Sequence, residues 1–197
     1  MAIERVQQMT VEEFLDFAEL SEERYEYIDG ELIPITSAKF NHNVICYNLA
    51  VHLGILLADA ECQVLLGQGI GAAKARFFMP DVVVVCGEPQ TEADTRILLN
   101  PILVVEVTSP SSIDHDRVVK RDFYVSVASI NAYLIVDQHR MLAELYTRSE
   151  TGWNLQTFSQ PGDQIPLEAL DCRLSLSDIY QRIDFEAEPP SAPSDNA

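Results

Sequence analysis

Two short apolar runs, each with one acid at its end, constrain the fold of this chain more than any other feature. Pro80-Asp81 opens Val82-Val83-Val84-Val85, and Ile102-Leu103-Val104-Val105-Glu106-Val107 closes on Glu106. β-branched runs of this length, bounded by Pro, Gly and Asn, read as buried strands. If the two are antiparallel neighbours, the start of the first lies beside the end of the second. Asp81 and Glu106 then meet at one rim of the sheet. Two carboxylates held there repel each other unless a cation or a proton sits between them, and Mg²⁺ favours oxygen ligands of this kind. Alternatively, each acid caps its own turn and the two never meet.

The rest of the chain supplies layers for such a sheet. Thr10-Val11-Glu12-Glu13 has the capping-box pattern, followed by a short amphipathic helix with Val11, Phe14, Leu15 and Ala18 on one side. Arg24 to Ile28 and Glu31 to Ile35, joined by Asp29-Gly30, read as a hairpin with a two-residue turn. Lys39 to Asp59 has helical periodicity. Cys62 to Ile70, Ala75 to Cys86 and Ile102 to Thr108 read as strands, with a polar loop over 87–100. Ser109 to Ser112 reads as a turn leading into a helix over Asp114 to Val127. Strands follow at Ala132 to Asp137, Met141 to Thr147 and Trp153 to Phe158, then a helix over Ser175 to Ile183. This order predicts an α/β or α+β fold, with a mixed central sheet flanked by helices. Residues 1–185 are expected to form one domain. Beyond Phe185 the chain turns to Glu, Pro, Ser and Ala, and residues 186–197 are expected to form a disordered acidic, Pro-rich tail.

Asp116, Lys120 and Tyr124 are spaced i, i+4, i+8 and share one helix face. Asp116 and Lys120 form either a solvated surface pair or part of a face turned to the carboxylate rim. In the second case the lysine brings positive charge to a reacting phosphate, and Tyr124 a hydroxyl.

Taken in order, these segments are similar to the Uma2 family, formerly the domain of unknown function DUF820, which is abundant in cyanobacteria. The residues that carry the resemblance are Arg24-Tyr25-Glu26-Tyr27-Ile28-Asp29-Gly30-Glu31-Leu32, His42, Pro80-Asp81 with its valines, and Val105-Glu106-Val107-Thr108-Ser109-Pro110-Ser111. Asp116-Arg117, Lys120, Tyr124 and Leu134-Ile135-Val136-Asp137 complete it. The resemblance spans roughly Thr10 to Tyr180 and implies the restriction-endonuclease-like fold of the PD-(D/E)XK superfamily. It implies a metal-dependent endonuclease that hydrolyses phosphodiester bonds, with DNA as the expected substrate. Asp81 and Glu106 would ligate Mg²⁺ or Mn²⁺, with the backbone carbonyl of Val107 as a further ligand. An acid from the N-terminal part completes such sites; Glu31 and Glu26 are the candidates, with Glu31 preferred for its place in the Asp-Gly-Glu-Leu run. His42 matches a recurrent histidine. The chain departs from the superfamily pattern at Thr108, where a lysine belongs two residues after the acid. Lys120 on the next helix is the candidate replacement, and Arg117 or Arg121 are candidates to contact flanking phosphates.

Charge bears on the substrate. A net charge of −18 is unusual for a protein that grips a long polyanion. It keeps two alternatives open: a catalytically inactive domain of this fold acting in binding or assembly, and a hydrolase of a smaller phosphate ester. Analogy of fold further suggests a homodimer, to whose interface apolar strands of the C-terminal half, such as Met141 to Tyr146, could contribute. No run approaches the ~18 apolar residues of a membrane span. Four scattered cysteines (Cys46, Cys62, Cys86 and Cys172) without a CxxC pattern argue against disulfides and a zinc site, and make a cytoplasmic location the default.

Overall fold

The computed structural model describes residues 9–35, 38–72, 76–92, 97–108 and 113–185. Helix α1 (Val11–Leu20) is fixed by its first turn: Glu13 N–H donates to the Thr10 hydroxyl, and Thr10 N–H to the Glu13 carboxylate. The hairpin β1 (Tyr25–Ile28) and β2 (Glu31–Pro34) turns at Asp29 and Gly30. Both have positive φ, 50° and 102°, as a type I′ turn requires. Helix α2 (Phe40–Leu56) follows, then β3 (Cys62–Leu66) and β4 (Ile70–Ala72).

The stretch expected as one strand from Ala75 to Cys86 is two strands. β5 is Arg76–Phe78 and β6 is Val82–Cys86. Pro80 has no N–H to give a ladder, so the chain leaves one sheet there and enters another. Then come β7 (Leu103–Thr108), the short α3 (Ile113–His115), a π-helical turn over Asp116–Lys120, and α4 (Arg121–Ser126). The remaining elements are β8 (Ala132–Asp137), β9 (Ala143–Ser149), β10 (Gly152–Phe158), β11 (Gln164–Leu167), β12 (Cys172–Ser175) and α5 (Leu176–Ile179).

The central sheet has six strands in the order β10-β9-β8-β7-β6-β3. β7 and β8 are parallel and every other pair is antiparallel, so the sheet is mixed. A four-stranded sheet, β2-β1-β5-β4, and the pair β11-β12 stand beside it. Valines of β6 alternate between two cores, which is why an unbroken apolar run suits this strand. Val82 and Val84 pack with Ile45, Leu49 and Leu53 of α2 and with Ile165, Leu174 and Ile179. Val83 and Val85 pack on the opposite face with Phe123, Tyr124 and Tyr133, and with Ile70 and Phe78 of the smaller sheet. Both faces of the central sheet are therefore covered.

One sequence expectation fails here. Cys62 and Cys86, directly opposed in the β3–β6 register, form a disulfide. They lie 24 residues apart, and only the strand pairing brings them together. With this bond, cysteine usage no longer argues for a reducing compartment. β9, the strand offered for a dimer interface, is an interior strand between β8 and β10, with Ala143 and Leu145 in the core. No helix of the described residues is long and apolar enough to cross a membrane. The expected tail over 186–197 and the turn over 109–112 lie outside the described residues.

Candidate active site

The rim forms where β6 begins and β7 ends. The antiparallel register pairs Val82 with Val105, so one step further sets Asp81 across from Glu106. Glu106 points to the Tyr124–Tyr133 side of the sheet, by the same alternation that buries Val104 there. It is 4% exposed. Its Oε1 accepts a hydrogen bond from the Tyr124 hydroxyl at 2.7 Å and lies 3.0 Å from Lys120 Nζ. Asp81 is held by its other neighbour on β7: Val107 N–H donates to Asp81 Oδ2 at 2.7 Å.

Lys120, 8% exposed, reaches three carboxylates. Its Nζ lies 2.9 Å from Glu26, 3.0 Å from Glu106 and 3.5 Å from Asp116. The π-turn explains how the helix delivers it. Arg121 N–H bonds back to the Asp116 carbonyl, five residues earlier, and the buried Tyr133 hydroxyl donates to the same carbonyl at 3.1 Å. The wider turn keeps Asp116, Lys120 and Tyr124 on the Glu106 side. π-turns of this kind recur at functional sites. Asp116 is buried and belongs to the cluster, on the helix face that the spacing offered either to solvent or to the rim.

Of the two N-terminal acids, it is Glu26 that lies at the rim. β1 is sandwiched between β2 and β5, and Glu26 near its start is buried beside Met79, whose N–H reaches Glu26 Oε1 at 3.5 Å. Glu31, preferred from the sequence, stands exposed after the turn, paired with Ile28. His115 Nε2 is 3.9 Å from Glu26 Oε2, beyond hydrogen-bond reach.

His42, in the first turn of α2, approaches from the opposite face of the sheet. Its Nε2 lies 3.2 Å from Asp81 Oδ1, and its Nδ1 is 3.5 Å from Cys46 Sγ, one turn along α2. Thr108, two residues after Glu106, is buried at the end of β7. Arg117 does not face the rim as a free cation. It makes a two-point contact with Glu144, at 2.7 and 2.6 Å, and Arg121 is paired with Asp122 at 2.6 Å.

Electrostatics follow from this crowding. Burial pushes the Glu106 carboxyl well above the ordinary range, and Asp81, Asp116 and Glu26 add to the push against the pull of Lys120. Burial works against the charge of Lys120, but Glu106, Glu26 and Asp116 outweigh it and hold the ammonium above its usual value. Burial alone would lower the His42 imidazole, yet its bond to Asp81 lifts it. Burial, with Asp81 and Glu106 nearby, pushes the Cys46 thiol up. Three carboxylates thus face one buried ammonium, and Asp81 adds a fourth negative group beside Glu106. The excess negative charge calls for a proton or a cation, and the donor set is oxygen, which suits a hard divalent ion.

Residues 11–177 match the model of the Uma2 family, described as "Putative restriction endonuclease". The uncharacterized protein sll1609 of Synechocystis sp. (strain ATCC 27184 / PCC 6803 / Kazusa) is 31% identical over 151 residues, spanning 75% of this chain and 85% of that protein. A second Synechocystis protein, the uncharacterized slr1290, is 28% identical over 182 residues, 90% of this chain and 94% of that one. In fold the chain resembles the crystal structure of "a putative nuclease belonging to DUF820" from Anabaena variabilis ATCC 29413. The TM-score is 0.71 at 18% identity, over 87% of this chain and 97% of the other.

Proposed function

The chain belongs to the Uma2 family, and from that premise we propose that it is a divalent-metal-dependent endonuclease hydrolysing phosphodiester bonds, with DNA as substrate. One observation carries the reading: a lysine supplied by the π-turn, not by β7, lies 3.0 Å from Glu106 at the rim shared with Asp81. The positive charge missing at Thr108 is thereby available from another element.

Asp81 and Glu106, with the Val107 carbonyl, would hold Mg²⁺ or Mn²⁺, and Glu26 would take the place sought for Glu31. The ion, when bound, would acidify a coordinated water and polarise the scissile phosphate. Lys120 orients the attacking water or offsets charge developing on the phosphoryl oxygens. Tyr124 fixes Glu106 through its hydroxyl, and the Val107 N–H fixes Asp81, so neither carboxylate must reorganise during reaction. Exclusion of water from Lys120 and Glu106 strengthens each of these interactions.

The cleavage test uses purified protein with Mg²⁺ or Mn²⁺ and a panel of duplex and single-stranded DNA. Activity lost in Asp81→Ala, Glu106→Ala and Lys120→Ala supports the assignment. Equal cleavage by wild type and all three variants points to a contaminant and refutes it.

A second reading has its own support. Among the described residues, Arg76, Arg117, Arg121 and Arg140 are each paired with an aspartate or glutamate, so these four are partly neutralised as contacts for a long phosphate backbone. That pattern favours a smaller phosphate ester at the same centre, so short oligonucleotides and nucleotides belong in the panel.

A further inference from the structure

We propose that His42, Cys46 and Asp81 form a second cation site, for a borderline ion of the Zn²⁺ type, overlapping the oxygen site at Asp81. His42 and Cys46 are i, i+4 on α2 and therefore lie on one helix face. Cys46 Sγ is 3.5 Å from His42 Nδ1, and His42 Nε2 is 3.2 Å from Asp81 Oδ1. One nitrogen, the sulfur and one carboxylate oxygen all lie within 4.8 Å of one another. A tetrahedral Zn²⁺ with bonds of about 2.0–2.3 Å needs its ligand atoms about 3.3–3.5 Å apart. An ion takes only one His42 nitrogen, so closing the set asks for side-chain shifts of about 1 Å, judged from those bond lengths.

The surroundings favour such a closure. Asp81 is already aimed: Val107 N–H holds Oδ2, which leaves Oδ1 turned to His42. The His42 and Asp81 side chains keep 16% and 22% of their surface exposed, which provides a path for the ion and room for a water as fourth ligand. A sulfur–nitrogen–oxygen set selects Zn²⁺ or Co²⁺ over Mg²⁺, because thiolate and imidazole are poor ligands for hard ions. On binding, the sulfur–metal bond forms as the thiol proton leaves to buffer, and nothing is oxidised or reduced.

One consequence rests on the proposed nuclease reading. Asp81 serves both sites, so an ion held by His42 and Cys46 withdraws it from the oxygen site, and Zn²⁺ becomes an inhibitor.

The test uses the full chain and Co²⁺ as a spectroscopic probe. The expected result is a one-to-one titration with thiolate-to-cobalt charge-transfer absorption in the near ultraviolet. That band is lost in Cys46→Ser and retained in Cys172→Ser and Glu106→Gln. No charge-transfer band in the folded wild type overturns the proposal, as does a band that survives Cys46→Ser. The readout is binding, not turnover. An inactive enzyme with the band intact therefore counts against the nuclease reading alone.

Discussion

Replacing Lys120 with methionine isolates the electrostatics of the rim, because the aliphatic stem stays and only the ammonium goes. In the metal-free protein that ammonium lies 2.9, 3.0 and 3.5 Å from Glu26, Glu106 and Asp116. With an effective dielectric constant near 20, each of the two shorter contacts is worth about 5 kcal/mol before other costs. The variant no longer has to desolvate the ammonium, and Glu106, already pushed toward its neutral form, takes up a proton. Both effects cancel much of that gross energy. Breaking a buried pair from one side leaves a net cost of about 3–5 kcal/mol. Against a total stability of about 5–15 kcal/mol, this is a large fraction. Urea denaturation at pH 7 with chelator, followed by far-ultraviolet circular dichroism, measures it. Adding Mg²⁺ should recover more stability in Lys120→Met than in wild type, because the ion replaces the lost positive charge among the acids. A loss below about 1 kcal/mol, the value of an exposed ion pair, would refute the reasoning.

Three further outcomes follow from the same geometry. Glu26→Gln lowers metal-dependent cleavage, whereas Glu31→Ala stays within about twofold of wild type, the scale of a surface substitution, and parallel rate measurements separate them. His42, followed by NMR in the metal-free protein, titrates above the ordinary histidine value of about 6.5 and falls back in Asp81→Asn. Its contribution to stability is full below the unfolded value and is lost as pH rises through the raised folded one. Reduction of the Cys62–Cys86 bond, which closes a 24-residue separation, costs about 3 kcal/mol and lowers the melting temperature by about 6–12 °C in a thermal melt with and without reductant.

Much of the fold could be read because its signals are local. The Thr10–Glu13 box, the Asp29-Gly30 turn and the apolar runs at Val82 and Leu103 each state their own conformation. The approach of Asp81 to Glu106 followed from pairing two such runs. What escaped depends on partners remote in sequence. Choosing Glu26 over Glu31 required knowing that β5 flanks β1 and buries its start. The π-turn is hidden because the Asp116, Lys120 and Tyr124 spacing suits an α-helix equally well. β11 and β12 are four residues each, and Pro166 interrupts the first, so neither shows a clear alternation. Cys62 and Cys86 meet only through the β3–β6 register.

The most direct test of the central claim is a Mn²⁺-soaked crystal read for anomalous density. The account predicts a peak bound by Asp81 and Glu106, with Lys120 still beside the Glu106 carboxylate. No peak at that rim under saturating Mn²⁺, or a peak with Asp81 or Glu106 turned away from it, would contradict the account.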